Sequence, residues 1–225
     1  MLSKLIQKYA LRIKQEPYDI DTSITNRELI LFLSKRLLML LRGIIFLRKN
    51  IFLGKNVIIN YKHKIKIGKF TSLHDGVEID ALSKNGVELG KRCTIGKSGY
   101  IRCTTTLKEL GVGLSVGDNV GIGSNSYLGC WGGVKIGKNT IIGERFTVHS
   151  DKHNFDDADV LIRHQGVEKL PVEIGENCWI GSNVIVLGGV RIGKGCVIGA
   201  GTIVTKSVPD NSLAVGNPAR IIKVR

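Results

Sequence analysis

The 225-residue sequence is poor in aromatic side chains, in proline and in acidic residues. Aromatic residues make up 6% of it, and it contains no zinc-finger spacing or RNA-recognition signature, so a nucleic-acid partner is not expected. Only four prolines are present and the glycines follow no strict triplet, which excludes collagen. Lysine and arginine outnumber aspartate and glutamate by 33 to 19, and the net charge of +14 predicts an anionic membrane or a phosphorylated cofactor as partner.

The sequence also lacks a cysteine framework, and no signal peptide is expected. No two of the five cysteines are spaced as CxxC, and the first ten residues contain no continuous apolar core. We therefore expect reduced thiols in a cytoplasmic protein. Cys93, Cys178 and Cys196 are interpreted as small core residues rather than nucleophiles.

What the sequence does contain is glycine, 28 residues in all, within a six-residue repeat. From Ile67 onward, 18 aliphatic frame positions fall into five runs with a spacing of six residues, and 12 of them are followed by glycine. A period of six fits neither a helix nor a plain alternating strand. It fits short strands that point the aliphatic residue inward, with glycine allowing a close turn. Three such units form a triangular coil that buries its core only against neighbouring coils.

This repeat resembles that of the hexapeptide-repeat acyltransferases, over roughly residues 58–225. The resemblance implies an all-β fold, a left-handed parallel β-helix, with a helical segment in front of it. We predict an N-terminal helical segment over 1–52 and the β-helix over 53–209. An extruded loop is expected at 154–171, where the repeat is interrupted by polar residues, and a C-terminal tail at 210–225.

The segment 27–50 is predicted to be a helix with one polar stripe, formed by Glu28, Lys35, Arg42 and Lys49. Its wide apolar face needs a cover, which is either protein or an anionic membrane surface. No uncharged run approaches the ~20 residues of a membrane span, which favours a cover by the β-helix flank or a sister subunit. The excess of basic residues in 1–50 keeps peripheral contact with the inner membrane face as the alternative.

His153 is the main catalytic candidate, because it ends the last repeat unit before the 154–171 loop. The segment His149–Asp157, the pair Gln165–Gly166 and the stretch after Asn177 resemble galactoside and polysaccharide O-acetyltransferases. That resemblance implies that His153 is the general base, which a weakly nucleophilic sugar hydroxyl requires. The alternative is a surface histidine of the loop. The predicted acceptor-binding residues are Asn125, His149 and Asp151, and the carboxylate that orients His153 is left open among Asp151, Asp156 and Asp157.

The same resemblance implies a set of cofactor-binding residues. Trp179 is expected to point outward, and Ser182 to offer a backbone N–H to the thioester. The other members are Ala200, Thr205, Lys206, Arg220 and Lys223, whose basic side chains would bind the phosphates of coenzyme A. For each lysine or arginine, an ordinary solvated charge is the alternative.

The resemblance implies an acetyl-CoA-dependent O-acetyltransferase acting on a sugar hydroxyl in surface-polysaccharide synthesis. It also implies a homotrimer whose clefts lie between chains. Three alternatives belong to other classes: an N-acetyltransferase of an amino-sugar nucleotide, a non-catalytic structural β-helix, and a zinc carbonic anhydrase. The last needs three histidine ligands, and no third histidine has a coil spacing that fits His149 and His153. No metal is expected.

Overall fold

The chain forms a triangular solenoid preceded by one long helix, in a computed structural model that describes residues 6–7 and 19–225. Helix α1 spans Asn26–Leu47, and short 3₁₀ turns span Lys62–Lys64 and Ile162–His164. Residues 6 and 7 are helical, and the other residues of the predicted helical segment before residue 19 lie outside the described residues. The strands are β1 (Phe52–Leu53), β2 (Ile58–Asn60), β3 (Ile65–Ile67), β4 (Ser72–Leu73), β5 (Glu78–Asp80), β6 (Val87–Leu89), β7 (Thr94–Ile95), β8 (Tyr100–Arg102), β9 (Leu114–Val116), β10 (Gly121–Ile122), β11 (Tyr127–Gly129), β12 (Val134–Ile136), β13 (Ile141–Ile142), β14 (Thr147–His149), β15 (Asp151–His153), β16 (Val167–Lys169), β17 (Val172–Ile174), β18 (Trp179–Ile180), β19 (Ile185–Val186), β20 (Arg191–Ile192), β21 (Val197–Ile198), β22 (Ile203–Val204), β23 (Ser212–Val215) and β24 (Arg220–Val224).

Successive strands turn through three parallel sheets, which we name faces A, B and C. Face A runs β1-β4-β7-β10-β13-β18-β21-β23, face B runs β2-β5-β8-β11-β14-β19-β22, and face C runs β3-β6-β9-β12-β17-β20. Strand β24 pairs antiparallel with β23, so the predicted tail at 210–225 carries the last two strands of face A. We call the corner where the chain passes from face A to face B the A–B edge, and the next corner the B–C edge.

The repeat positions form the core of this left-handed β-helix, which confirms the predicted fold class. Seventeen of the 18 frame residues are buried, and Ile67 is half-buried against the same core. Thr71 and Thr140, buried at the second inward position, donate to the backbone of the adjacent coil, whereas the buried Thr202 accepts from Gly216 N. Thr140 Oγ1, for example, lies 3.0 Å from the Gly175 oxygen, so its buried hydroxyl is satisfied.

The corners explain the glycine and asparagine content. A Cβ at Gly143 would lie 2.6 Å from the Ser182 nitrogen, and one at Gly181 would lie 2.5 Å from the Ala200 nitrogen. These close approaches between coils require glycine rather than merely favouring it. Asparagine occupies corner positions with φ between 53° and 60°, which it tolerates better than most residues do.

Helix α1 begins at a capping box formed by Thr25 and Glu28, and it packs on β1, the edge strand of face A. Arg42 Nη1 donates to the Leu53 oxygen at 2.9 Å. Arg36 Nη1 donates to Ser72 Oγ at 3.1 Å, and its guanidinium lies 3.5 Å above the ring of Phe52. The helix therefore protects an edge that would otherwise be open to pairing with another strand. No helix in the described part of the chain is long and apolar enough to cross a bilayer.

Candidate functional site

The candidate site lies at the B–C edge, in the fifth coil. Strand β14 ends there at His149, and the chain leaves the solenoid as an antiparallel hairpin of β15 and β16 before it returns in β17. In this hairpin His153 is opposite Val167, and Asp151 is opposite Lys169. Because side chains alternate along a strand, Asp151 and His153 lie on one side of the hairpin. His153 is exposed there, at the base of the predicted loop, and its catalytic role stays a prediction.

The base of the hairpin is held by the insertion at 103–113, which the sequence showed only as a break in the repeat. Lys169 pairs with the carboxylate of Glu109, donates to the Leu110 oxygen at 2.9 Å, and lies 4.8 Å from the centre of the Trp131 ring. The hydrogen bond from Lys169 lowers the pKa of Glu109. Two breaks in the repeat thus contact each other and fix the strand that is paired with His153.

The tip of the loop is organised by Gln165. Its Nε2 donates to the Asp157 and Val160 oxygens at 2.7 and 2.6 Å, and its Oε1 accepts from the Asp157 nitrogen at 3.1 Å. Asn154 Nδ2 donates to the Gln165 oxygen, and Gly166 adopts φ +87°, which favours glycine. The Gln165–Gly166 pair that contributed to the family resemblance therefore has a structural role in shaping the loop.

An aromatic ladder runs along the outer surface of face B up to this edge. The ring centres of Tyr100 and Tyr127 are 5.7 Å apart, and those of Tyr127 and His149 are 5.6 Å apart. Gly129 leaves room for this arrangement, because a Cβ there would lie 3.1 Å from the Tyr127 ring. Burial raises the pKa of Tyr127. The charge of Arg102 lowers this pKa, and the charge of Asp151 raises it.

Sequence reasoning missed the two tyrosines, although each one directly precedes a frame residue, Ile101 or Leu128. That shared position predicts an outward side chain on the same face. The position directly before a frame residue could therefore have predicted an outward aromatic surface on face B.

No carboxylate accepts a hydrogen bond from the His153 ring among the residues that the structure describes. Asp157 Oδ1 instead accepts from the Asp159 nitrogen at 3.0 Å, within the loop. Asp156 is exposed, and Asp151 lies on the same side of the hairpin as His153. The geometry therefore favours Asp151 among the three candidate orienting groups.

The predicted binding residues divide between two edges of the solenoid. On face B, three frame residues of successive coils are in register: Val148, Val186 and Val204. The residues that follow them are therefore aligned too, which places His149 in line with Thr205 at the B–C edge, and Lys206 comes next.

The other edge carries a second group of predicted residues. Ser182 and Ala200 lie at the A–B edge, as does Asn125, whose φ of 58° marks it as a corner residue. Trp179 points outward from face A with 60% of its surface exposed, as predicted, and Arg220 and Lys223 are exposed on β24.

One chain therefore does not bring all the predicted residues together. His149, Asp151, His153, Thr205 and Lys206 share one edge, while Asn125, Ser182 and Ala200 share another. Within the described part of the chain, no group of three or more His, Cys, Asp or Glu side chains is placed to hold a metal ion.

Comparison with known protein families identifies two stretches of the repeat. Residues 171–206 match the family described as "Bacterial transferase hexapeptide (six repeats)", and residues 113–144 match "Hexapeptide repeat of succinyl-transferase".

Two curated relatives are similar over much of the chain. A protein of Mycobacterium tuberculosis, provisionally named an acetyltransferase, is 35% identical over 154 residues, which are 68% of this chain and 49% of that protein. WcaF of Escherichia coli, provisionally named a colanic acid biosynthesis acetyltransferase, is 33% identical over 140 residues, 62% of this chain and 70% of that protein. The chain thus spans about half the length of the first relative and more than two thirds of the second.

Solved structures show the same fold at low identity. The N-acyltransferase AntD from Bacillus cereus, in complex with dTDP-4-amino-4,6-dideoxyglucose and coenzyme A, has a TM-score of 0.53 at 20% identity, covering 79% of this chain and 81% of AntD. A hexapeptide-repeat acetyltransferase from Vibrio cholerae, complexed with acetyl-coenzyme A, has a TM-score of 0.50 at 20% identity, covering 98% of this chain and 87% of that one. At these identities the likeness concerns the fold.

Proposed function

This chain belongs to the hexapeptide-repeat acyltransferase family, and from that membership we propose that it is an acetyl-CoA-dependent O-acetyltransferase of a sugar hydroxyl in surface-polysaccharide synthesis. The observation that carries the proposal is the exposed His153 on a braced hairpin, next to the aromatic ladder at the B–C edge. The relative named for colanic acid biosynthesis, more than two thirds of which this chain covers, supports a polysaccharide acceptor.

In the proposed reaction, His153 removes the proton from the acceptor hydroxyl as its oxygen attacks the thioester carbonyl carbon. The tetrahedral oxyanion collapses, the carbon–sulfur bond breaks, and the imidazolium returns the proton to the departing thiolate. Atoms and charge balance without an acyl-enzyme intermediate. Burial raises the pKa of the Cys93, Cys178 and Cys196 thiols, which argues against a cysteine nucleophile.

The acceptor surface that we propose is the ladder of Tyr100, Tyr127 and His149. Aromatic rings offer an apolar face to the carbon–hydrogen side of a sugar ring, and their polar atoms remain available for hydrogen bonds with hydroxyl groups. Arg102 and Asp151 act on the same surface, as their influence on Tyr127 indicates. A site with one apolar face and a few polar groups is typical of small-molecule binding.

The phosphates of coenzyme A would bind to the basic residues of the last coils. Lys206, Arg220 and Lys223 are exposed, and none of them forms an ion pair within the part of the chain described here. They are therefore free to meet an anionic ligand. A coenzyme A substrate and five buried, free cysteines are consistent with a cytoplasmic reaction.

We propose a homotrimer with one site at each contact between chains. The division of the binding residues between the A–B and B–C edges supports it, because a ligand that contacts both sets needs an edge from each of two chains. Ile141 and Trp179 are neighbours on the outer surface of face A and are 63% and 60% exposed, which favours contact of this face with another molecule.

The test is coenzyme A release from acetyl-CoA with pairs of acceptors that differ only in a hydroxyl or an amino group. We expect release with the hydroxyl form, and an ester product that mild base hydrolyses. Exclusive acetylation of the amino form would instead establish the N-acetyltransferase. If coenzyme A neither binds nor is released with any acceptor, the protein is a structural β-helix and the proposal is wrong.

A further inference from the structure

Among the residues that the structure describes, the solenoid covers helix α1 on one side. Its inner side carries the buried Leu29 and Gly43 and the half-buried Leu33, Leu40 and Leu47. Together with Arg36, these positions follow one another in alternating steps of four and three, so they form one stripe along the helix. Arg36 and Arg42 also turn to the solenoid, where they hydrogen-bond to Ser72 and Leu53. Two of the charged side chains of the helix therefore contact the solenoid and do not lie on its outer side.

The side turned away from the solenoid is apolar. Six residues there each expose between 43% and 69% of their surface: Ile30, Leu37, Leu38, Leu41, Ile44 and Ile45. At 100° per residue they lie within an arc of about 120°. The polar side chains inside that arc are Asn26 and Arg27, in the first turn of the helix, and Ser34, which donates back to the Leu31 oxygen at 2.9 Å. These side chains form one continuous apolar patch rather than isolated exposed residues, and such a patch is typical of an interaction site.

The charged residues of the helix and the first coil are mostly basic. Between residues 29 and 74 the sequence has ten lysines and arginines and no aspartate or glutamate. Some of these cations adjoin the apolar side chains directly, because a cleft of about 390 Å³ is lined by Ile45, Phe46, Lys49 and Lys62. Lys55, Lys66 and Lys69 are exposed on the same first coil.

We propose that this surface docks the protein on an anionic lipid bilayer, with α1 lying in the plane of the membrane. Its apolar arc would enter the boundary between headgroups and acyl chains, and the cations of the first coil would meet anionic headgroups. Charge decides against a second copy of this chain as the occupant of a two-fold contact. Two such surfaces would place the exposed cations of this segment against each other.

The experiment is vesicle flotation of the full chain with neutral phosphatidylcholine vesicles and with vesicles that contain phosphatidylglycerol as the anionic lipid. We expect flotation only with the anionic vesicles, and loss of it on addition of salt. The double variant Leu37→Glu/Leu41→Glu should lower the bound fraction about tenfold. Leu107→Glu, at a leucine that is 84% exposed on the 103–113 insertion, is the matched control and should bind as the wild type does.

A second pair of variants tests the electrostatic part. Lys62→Glu/Lys66→Glu should weaken binding to anionic vesicles, and Lys135→Glu, at an exposed lysine on β12, should not. Failure of the wild type to float, or unchanged flotation of the leucine variant, overturns the proposal. A smaller oligomer formed by that variant, without any vesicle binding by the wild type, would assign the surface to another chain. Coenzyme A release on a soluble acceptor should be unchanged in the leucine variant, which separates this test from that of the enzymatic proposal.

Discussion

At the residue scale, His153 combines an exposed side chain with a backbone that is paired in a hairpin. Its strand is paired with β16, and Lys169 of β16 is fixed by Glu109 and Leu110. A general base needs this combination, because the proton transfer depends on its position relative to the substrate.

Replacement of His153 by alanine should lower kcat by a factor of about 10² to 10⁴, the usual contribution of a general base. The melting temperature should change little, because the side chain is exposed. Steady-state kinetics and thermal unfolding of the purified variant measure the two effects. His164→Ala, on the same loop, is the control, and equal activity of the two variants would remove His153 from the mechanism.

Tyr127→Ala should raise the KM for the sugar acceptor and leave the KM for acetyl-CoA unchanged. The expected factor is about 2 to 12, which corresponds to the 0.5–1.5 kcal/mol of an aromatic contact. Tyr127→Phe retains the ring and should restore most of the affinity if the ring face, and not the hydroxyl, binds the sugar. Equal changes in both KM values would show that the ladder supports the fold rather than the acceptor.

The frame residues were predictable individually because the solenoid needs a buried aliphatic side chain at every sixth position. The contact between Lys169 and Glu109 was not, because it joins two breaks in the repeat that are 60 residues apart. The spacing of Tyr100 and Tyr127 is likewise stretched by the 103–113 insertion, which hides their adjacency in the sequence.

At the element scale, the repeat located most strands but not the first coil. Leu53 and Ile59 are six residues apart and pair with Leu73 and Ile79 of the next coil. The 3₁₀ turn at Lys62–Lys64 then adds two residues before Ile67, so the regular frame, which starts at Ile67, begins two strands too late. The start of the extruded segment was also predicted a few residues too far along the chain. The chain leaves the solenoid at β15, before the predicted start at 154, because residues 151–153 pair with β16.

The packing of α1 on the solenoid should depend on pH through His74. Its pKa is lowered, first by burial and then by the charge of Arg36 on the helix. The unfolded chain therefore binds more protons, and stability falls as the pH drops below about 6.5, the ordinary imidazole pKa. Thermal unfolding between pH 8 and pH 5 should show this loss.

The His74→Gln variant should have a flatter stability profile over the same interval, because its side chain does not titrate. His63→Gln, at an exposed histidine of the first coil, is the control and should behave as the wild type does. Identical profiles for the wild type and His74→Gln would show that another group governs the acid sensitivity.

At the scale of the whole molecule, co-expression of two defective variants can test whether each site is formed by edges of two different chains. Co-expression of His153→Ala with Ala200→Trp combines defects on different edges. If each site uses the B–C edge of one chain and the A–B edge of the next, about a quarter of the sites in random mixed trimers contain two intact edges. Activity should return to that level, measured as coenzyme A release per chain.

Co-expression of His153→Ala with Thr205→Trp is the matched control, because both defects lie on the B–C edge. Every site then carries one of them, and no activity should return. Equally low activity in both mixtures would place the entire site within a single chain.

The stacking of the coils also sets a distance. Face A advances by four strands from β1, which α1 covers, to β13 in the coil of His153, and at ~4.8 Å per strand that is a rise of about 19 Å along the axis. If the helix rests on a membrane as proposed, the solenoid acts as a spacer between that membrane and the proposed acceptor site at His153. Inserting or removing one whole coil would shift that height by about 5 Å while leaving every side chain of the site unchanged. Coil number would then select which sugar along a membrane-anchored glycan comes within reach.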